Sequence, residues 1–174
     1  MITLDQLRRI MPYAGDRAAI YLDPLNQAMA EFGIDTPARQ AGFLAQIAHE
    51  SGSLKYTREI ASGATYEGRR DLGNTEPGDG MRFKGRGLIQ ITGRHNYRIC
   101  SLALYGDERL LDKPWLLESV IGACRSAAWY WSAFGLNALA DEGDIKRMTK
   151  RINGGLNGLT ERMAYYAVAK EVLA

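Results

Sequence analysis

The chain has 174 residues, 46% hydrophobic and 24% charged, which is enough for one domain with a substantial apolar core. Its net charge of +2, without a basic run interleaved with aromatic residues, argues against nucleic acid as a partner. No segment reaches transmembrane length, and the N-terminal residues lack the apolar core of a secretory signal. We therefore expect a single domain over residues 1–174, folded in the cytoplasm without membrane insertion.

Apolar residues at three- and four-residue spacing predict a mainly α-helical chain. A first helix is expected over 3–11 with Thr3 as N-cap, and a second over 18–32, where Pro24 marks a kink or a restart. The third and central helix occupies the stretch 35–52. Further helices are predicted over 94–105, 119–134, 143–152 and 160–173.

The central helix carries the first candidate catalytic group, Glu50. Asp35 or Thr36 can cap its start, and Gly52 is placed to stop it. Glu50 falls at the margin of the apolar face, where apolar neighbours and the negative end of the helix dipole both disfavour the ionised carboxylate. A carboxyl that stays protonated is what a general acid requires. On this helix alone, a solvated glutamate on the last turn is an equally simple interpretation.

A long glycine-rich segment, residues 53–86, follows and loses helical periodicity. Loops of this length inside a compact domain are more often functional than not. Glu59 lies nine residues after Glu50, and two carboxyls on opposite walls of a groove are the minimum set for glycoside hydrolysis. Four other acidic residues of the loop compete for the second role: Glu67, Asp71, Glu76 and Asp79.

The run KGRGLIQITGRHNY, residues 84–97, places uncharged hydrogen-bonding side chains between isoleucines. If the part over 83–93 is a short β segment, Gln90 and Thr92 face the same side and the isoleucines face the core. Together with Asn96, these groups suit sugar hydroxyls and N-acetyl groups, and Thr92 could hold a water. A half-buried strand with a solvated face fits the same pattern.

Cysteine and histidine are scarce. Cys100 and Cys124 lie in apolar surroundings, which favours buried free thiols, although a disulfide stays open. The two histidines, His49 and His95, are too few for a histidine-rich metal centre. We expect neither a metal nor a cofactor.

Three motifs carry a family resemblance. HES at 49–51, GRGLIQITGRHNY at 85–97 and NGG at 153–155, followed by Arg162, resemble glycoside hydrolase family 19. That family contains chitinases and the peptidoglycan-degrading endolysins of bacteriophages. The run at 74–94 resembles the endolysin branch specifically. The resemblance implies a mainly α, lysozyme-like, two-lobed domain whose cleft is lined by a glycine-rich loop and a small β segment.

Carried over by position, the resemblance implies a general acid at Glu50 and a general base at Glu59. Thr92 would hold the nucleophilic water together with the base. The implied mechanism inverts the anomeric carbon, which predicts carboxyls roughly 6.5–9.5 Å apart. The implied substrate-binding residues are Gln90, Asn96, Tyr97, Asn153 and Arg162. Arg162 would also support the acidic groups electrostatically, and His49 would support the acid from behind.

The sequence differs from plant chitinases of this family in three ways that bear on the kind of enzyme expected. Plant chitinases have a longer stretch between the two glutamates and an acidic residue where this chain has Asn157, and their disulfides have no counterpart here. These differences favour a compact cell-wall enzyme of bacterial or phage origin. The leading hypothesis is a monomeric endolysin acting on the β-1,4 bonds of peptidoglycan glycan strands. By analogy, a pore-forming holin would release it from the host cytoplasm to the cell wall.

Three other hypotheses stay open at this stage. A chitinase would act on N-acetylglucosamine polymers with the same residues. A lytic transglycosylase would use a single glutamate and leave anhydromuramic ends. A glycan-binding module would bind cell wall without cutting it.

Overall fold

The structure is a computed structural model that describes residues 1–174 and is built almost entirely from helices. The α-helices are α1 (Leu4–Ile10), α2 (Arg17–Glu31), α3 (Pro37–Glu50), α4 (Asp79–Arg82), α5 (Arg94–Tyr105), α6 (Arg109–Asp112), α7 (Val120–Ala133), α8 (Leu136–Asp141), α9 (Ile145–Asn153) and α10 (Leu159–Leu173). Short 3₁₀ turns occupy Pro12–Ala14, Ala64–Tyr66, Arg70–Leu72 and Pro114–Glu118. None of the helices has the length and hydrophobicity needed to cross a membrane.

Side-chain caps fix the starts of several predicted helices. The Thr3 hydroxyl accepts from the Gln6 backbone N–H, and the Gln6 side chain accepts from that of Thr3, which forms a capping box on α1. At α3, α7 and α9 the cap is a single hydrogen bond, in which the side chain of Thr36, Ser119 or Asp144 accepts from a backbone N–H of the first turn. These caps explain why the sequence located the helix starts to within one or two residues.

Two expectations about the helices need correction. α2 continues through Pro24 without interruption, so the predicted restart does not occur. The short helix α8 was not predicted, because it lies between two longer periodic stretches and contributes only three buried residues.

α3 lies at the centre of the molecule and packs along α10, while α2 packs against α7. Every residue of α3 from 40 to 48 is buried, as expected for a helix surrounded by protein on all sides. Phe43 meets Trp131 of α7 edge to face, with ring centroids 5.5 Å apart. Glu50 therefore stands at the end of a rigid element, which suits a catalytic group.

Both cysteines are buried free thiols, which settles the question left open by the sequence. Burial raises the pKa of Cys100 and of Cys124 to about 12. Neither thiol is therefore ionised near neutral pH, and both pack as small apolar groups.

Candidate active site

Glu50 is the last residue of α3, and its side chain is 17% exposed. Its carboxylate accepts a hydrogen bond from the guanidinium of Arg162, which projects from α10 and is completely buried. The sequence predicted apolar neighbours around Glu50. The structure adds a fixed cation to them, so the environment of this carboxyl is polar on the α10 side.

The Arg162 guanidinium is itself held in place. Its Nη1 donates to Oε1 of Gln46, and its Nε donates to the Asn157 carbonyl oxygen over 3.2 Å. The Gln46 amide in turn donates to the Thr149 hydroxyl over 3.1 Å, and both side chains are fully buried. The planar fork of arginine meets acceptors on several sides, so its orientation toward Glu50 is determined.

Sequence reasoning missed Gln46 and Thr149. A signal existed, because Gln46 is a polar residue within the apolar face of α3, one turn before Glu50. A buried amide needs partners, and here the partner is the arginine that contacts the acid.

His49 forms a second contact between α3 and α10, next to the Glu50–Arg162 pair. Its Nδ1 bonds the Glu161 carboxylate, and its ring packs against Gly158, where a methyl group would overlap the imidazole. Gly158 has φ +70° and precedes α10. The pairs His49–Glu161 and Glu50–Arg162 thus tie the end of α3 to the start of α10.

Glu59 is held on the glycine-rich side of the molecule. The Tyr66 hydroxyl donates to its Oε1 and the Gly85 N–H donates to its Oε2, each over 3.1 Å. Its own N–H donates to the Gly85 carbonyl over 2.9 Å. Burial raises the pKa of Tyr66, and the negative charge of Glu59 adds to this. A Cβ at Gly85 would lie 2.6 Å from Gln90 Oε1, so glycine allows this close approach.

Three of the four competing acidic residues of the loop have structural partners. Glu67 accepts from two backbone N–H groups at the start of α4, those of Gly78 and Gly80, over 2.7 and 2.8 Å. Asp71 pairs with its neighbour Arg69. A third, Asp79, bonds Arg94 and is 1% exposed. Glu76 is exposed.

The predicted β segment is wrong in its geometry. Residues 87–90 form a turn, and only isolated bridges at Arg86 and Ile91 flank it. Gln90 has φ +62°, an uncommon conformation for a residue with a side chain, and its amide donates to the Gly87 carbonyl over 2.9 Å. Backbone strain of this kind concentrates at functional sites. The Thr92 hydroxyl donates to the Gln90 carbonyl over 3.0 Å.

A cleft of about 180 Å³ runs along this turn. Three predicted polar residues line one side: Gln90, Thr92 and Asn96. The other side is formed by aromatic and apolar residues of α7 and α9, among them Trp129, Tyr130, Phe134 and Ile152. Apolar walls facing a few polar groups are typical of carbohydrate and other small-molecule sites.

Neither carboxyl is part of the lining of this cleft, but each is connected to a residue that lines it. Burial raises the pKa of the cleft residue Tyr130, and the negative charge of Glu50 contributes to the same shift. On the opposite side, Gln90 adjoins Gly85, whose N–H binds Glu59. The structure therefore brings Glu50, Glu59, Gln90 and Thr92 to one region from separate parts of the chain.

Two predicted substrate-binding residues do not reach the cleft surface. Tyr97 is completely buried, and its hydroxyl donates to the Lys84 carbonyl over 2.7 Å while accepting from Arg86 over 3.0 Å. It supports the loop from within and cannot contact sugar. Arg162 is equally buried, and it contacts Glu50 rather than the cleft surface. Asn153 is exposed at the end of α9, next to the cleft residue Ile152.

The structure contains no cluster of histidine, cysteine and carboxylate side chains able to hold a metal ion. The chemistry available at the cleft is that of two carboxyls, one buried cation, a hydroxyl and two amides.

No family model matches the sequence. The chain is similar to a glycosyl hydrolase family 19 domain-containing protein of Haemophilus influenzae, with 30% identity over 197 aligned residues that cover 95% of this chain and 94% of the relative. It is 36% identical over 115 residues to an endochitinase of Arabidopsis thaliana, covering 66% of this chain and 39% of that protein. The chain spans less than half the length of these plant endochitinases.

Solved structures agree on the fold. A bacterial family 19 chitinase superposes with a TM-score of 0.81 at 21% identity, over 99% of this chain and 95% of the other. Chitinase C from Streptomyces griseus gives 0.80 at 24% identity, over 99% and 76%. The fold is thus the mainly α, lysozyme-like, two-lobed fold of a class of glycoside hydrolases. The chain belongs to glycosyl hydrolase family 19, and it is a glycoside hydrolase.

Proposed function

We propose that this family 19 hydrolase is an endolysin that cleaves β-1,4 glycosidic bonds of the peptidoglycan glycan by general acid/base catalysis. The observation that supports this most directly is the pair of carboxyls, Glu50 and Glu59, which different elements place next to residues that line one cleft. Each is held by fixed donors, so neither needs to be ordered when substrate binds.

In the proposed mechanism Glu50 donates a proton to the leaving glycosidic oxygen. The carboxylate that results is stabilised by the Arg162 guanidinium, which is oriented before the reaction begins. Glu59 removes a proton from a water on the opposite face of the sugar, and Thr92 helps to hold that water. Attack by water inverts the anomeric carbon and requires carboxyls roughly 6.5–9.5 Å apart.

The preference for peptidoglycan is supported by two features. The relative matched over nearly its whole length is a bacterial protein. Its net charge of +2 favours association with an anionic cell wall. A chitinase activity is the second candidate, because the structural neighbours are chitinases.

Product analysis separates these activities. Purified peptidoglycan and soluble chitin oligosaccharides are incubated with the protein, and the products are analysed by mass spectrometry and reducing-end assay. A peptidoglycan hydrolase releases new reducing ends, and we expect them at the muramic acid to N-acetylglucosamine bond. Anhydromuramic products that persist in Glu59→Gln would instead indicate a lytic transglycosylase, and bound wall without new ends a binding module. Cleavage of chitin alone would contradict the proposal.

We further propose that the protein is a monomer of bacteriophage type, held in the host cytoplasm until a holin opens the membrane. This rests on analogy with the endolysin branch. Expression in a bacterial host with and without a holin tests it. Lysis only when both are present is expected, and lysis without the holin would overturn it. Size-exclusion chromatography should give a mass near 19.3 kDa.

A further inference from the structure

A second cavity, of about 410 Å³, has Glu59 in its lining and shares no lining residue with the cleft described above. It is formed mainly by residues 55–60, with Lys84 and Glu118. Because Glu59 contributes to its wall, a group bound here would belong to a sugar next to the cleaved bond.

Three cations line this cavity. The Lys84 ammonium donates to the Ala61 carbonyl over 2.9 Å, which fixes its position and leaves two of its three donors available. Lys55 places its ammonium 5.1 Å from the Tyr56 ring centroid. Arg58 is 60% exposed, so its guanidinium can reach a bound group without losing a buried contact.

Two carboxylates also line this cavity, Glu59 and Glu118, and the charge of Glu118 is paired with an arginine outside the lining. Glu118 accepts from Nε of Arg86 over 2.7 Å, and Arg86 is 8% exposed. The Arg58 contact with Glu118 is longer, at 3.6 Å, and is not a hydrogen bond. With Glu118 neutralised by Arg86, the three cations face Glu59 as the one remaining carboxylate. The cavity is therefore net positive.

We propose that this cavity binds the carboxylates carried by muramic acid in peptidoglycan, an inference that rests on the proposed function. Such a group is attached to every second sugar of that glycan, either as the lactyl carboxylate or as carboxylates of the stem peptide. Chitin carries no acidic group. The cavity would thus favour peptidoglycan over chitin by charge-assisted hydrogen bonds beside the catalytic base.

The test uses a variant that removes the three charges but keeps hydrogen-bonding side chains: Lys55→Gln, Arg58→Gln and Lys84→Gln combined. Glutamine at position 84 still offers a donor to the Ala61 carbonyl. A matched control removes three exposed cations elsewhere, Lys113→Gln, Lys146→Gln and Lys170→Gln, for the same change in net charge. Both variants are checked for native helix content by circular dichroism.

Each protein is assayed on three substrates. These are peptidoglycan glycan with its stem peptides, the same glycan stripped by an amidase so that only lactyl carboxylates remain, and chitin oligosaccharides. We expect the cavity variant to lose about tenfold in kcat/KM on a carboxylate-bearing glycan relative to the control, mainly through KM. The ratio of kcat/KM on carboxylate-bearing glycan to kcat/KM on chitin oligosaccharides should fall by a similar factor. The glycan with the larger loss identifies which carboxylate is bound.

Salt gives a second readout. As ionic strength rises, the preference of the native chain for carboxylate-bearing glycan over chitin should fall. In the cavity variant that preference is already reduced, so it should change little with salt. If chitin oligosaccharides are not cut, their binding to the Glu50→Gln chain supplies the comparison.

The outcomes separate the two proposals. If the native chain releases no ends from peptidoglycan, the proposed function fails. If it does, and the cavity variant matches the control or loses equally on all three substrates, the cavity assignment alone is overturned.

Discussion

Replacing Arg162 with methionine tests how far the site depends on one buried cation. Methionine fills a similar volume but removes the charge and all five donors. The change takes away three contacts at once: the ion pair with Glu50, the bond to Gln46 and the bond to the Asn157 carbonyl. Gln46 Oε1 then loses the donor that it has in the native structure.

The cost can be estimated from these contacts. A hydrogen bond to a charged group contributes about 1.5–3 kcal/mol, and leaving a buried acceptor unpaired costs about 1–3 kcal/mol. Glu50 is 17% exposed and can recover some hydration, so its share is at the low end. The total is about 3–5 kcal/mol, the range for breaking one partner of a buried pair. That is a large part of the ~5–15 kcal/mol that stabilises a typical domain.

Urea unfolding followed by circular dichroism measures this cost. The control is Arg147→Met, since that side chain is 55% exposed and its ion pairs on the surface should contribute no more than about 1 kcal/mol. Arg162→Lys keeps the charge but not the planar fork, and we expect it to fold better than the methionine variant while losing activity. A loss below about 1 kcal/mol for Arg162→Met, or a loss equal to that of the control, would refute the reasoning.

Three other predictions follow from local contacts. Gly158→Ala should destabilise the protein by about 1–3 kcal/mol and lower activity, because the methyl group strains a positive-φ position and displaces the His49 ring; thermal melting and turnover check this. The hydrogen bond from Arg94 holds the pKa of Asp79 below its usual range, so its stabilisation is complete above about pH 4 and is lost as pH falls further. Asp79→Asn should therefore lower the urea midpoint at pH 7 more than at pH 3, and an equal effect at both would contradict it. Thr92→Ala should reduce kcat by about 10- to 100-fold with an unchanged melting temperature, because the base still holds the water.

The sequence identified what depends on local patterns. The caps at Thr3 and Thr36 mark helix starts, and the apolar face of α3 correctly predicts a buried helix ending at Glu50. The likeness to family 19 is confirmed by the relatives and by the fold. These features follow from residue spacing and from short motifs that need no knowledge of distant contacts.

The features that the sequence did not predict depend on contacts between segments far apart in the chain. Alternating polar and β-branched residues predicted an extended run. Gln90 instead adopts a left-handed conformation, supported by a hydrogen bond from its side-chain amide to the Gly87 carbonyl. Tyr97 belongs to the run at 85–97 and was predicted to bind substrate, but its side chain is buried beneath the glycine-rich loop. The partners of Gln46 are 103 and 116 residues away, so no local pattern could reveal them.

The central claim is that Glu50 supplies the proton for glycosidic bond cleavage. The most direct measurement is the rate at which Glu50→Gln releases reducing ends from purified peptidoglycan, with helix content verified as native. Glutamine keeps the size and can still accept from Arg162, but it has no acidic proton. The account predicts a loss of several orders of magnitude in kcat. A Glu50→Gln protein that cuts peptidoglycan at the native rate would contradict it.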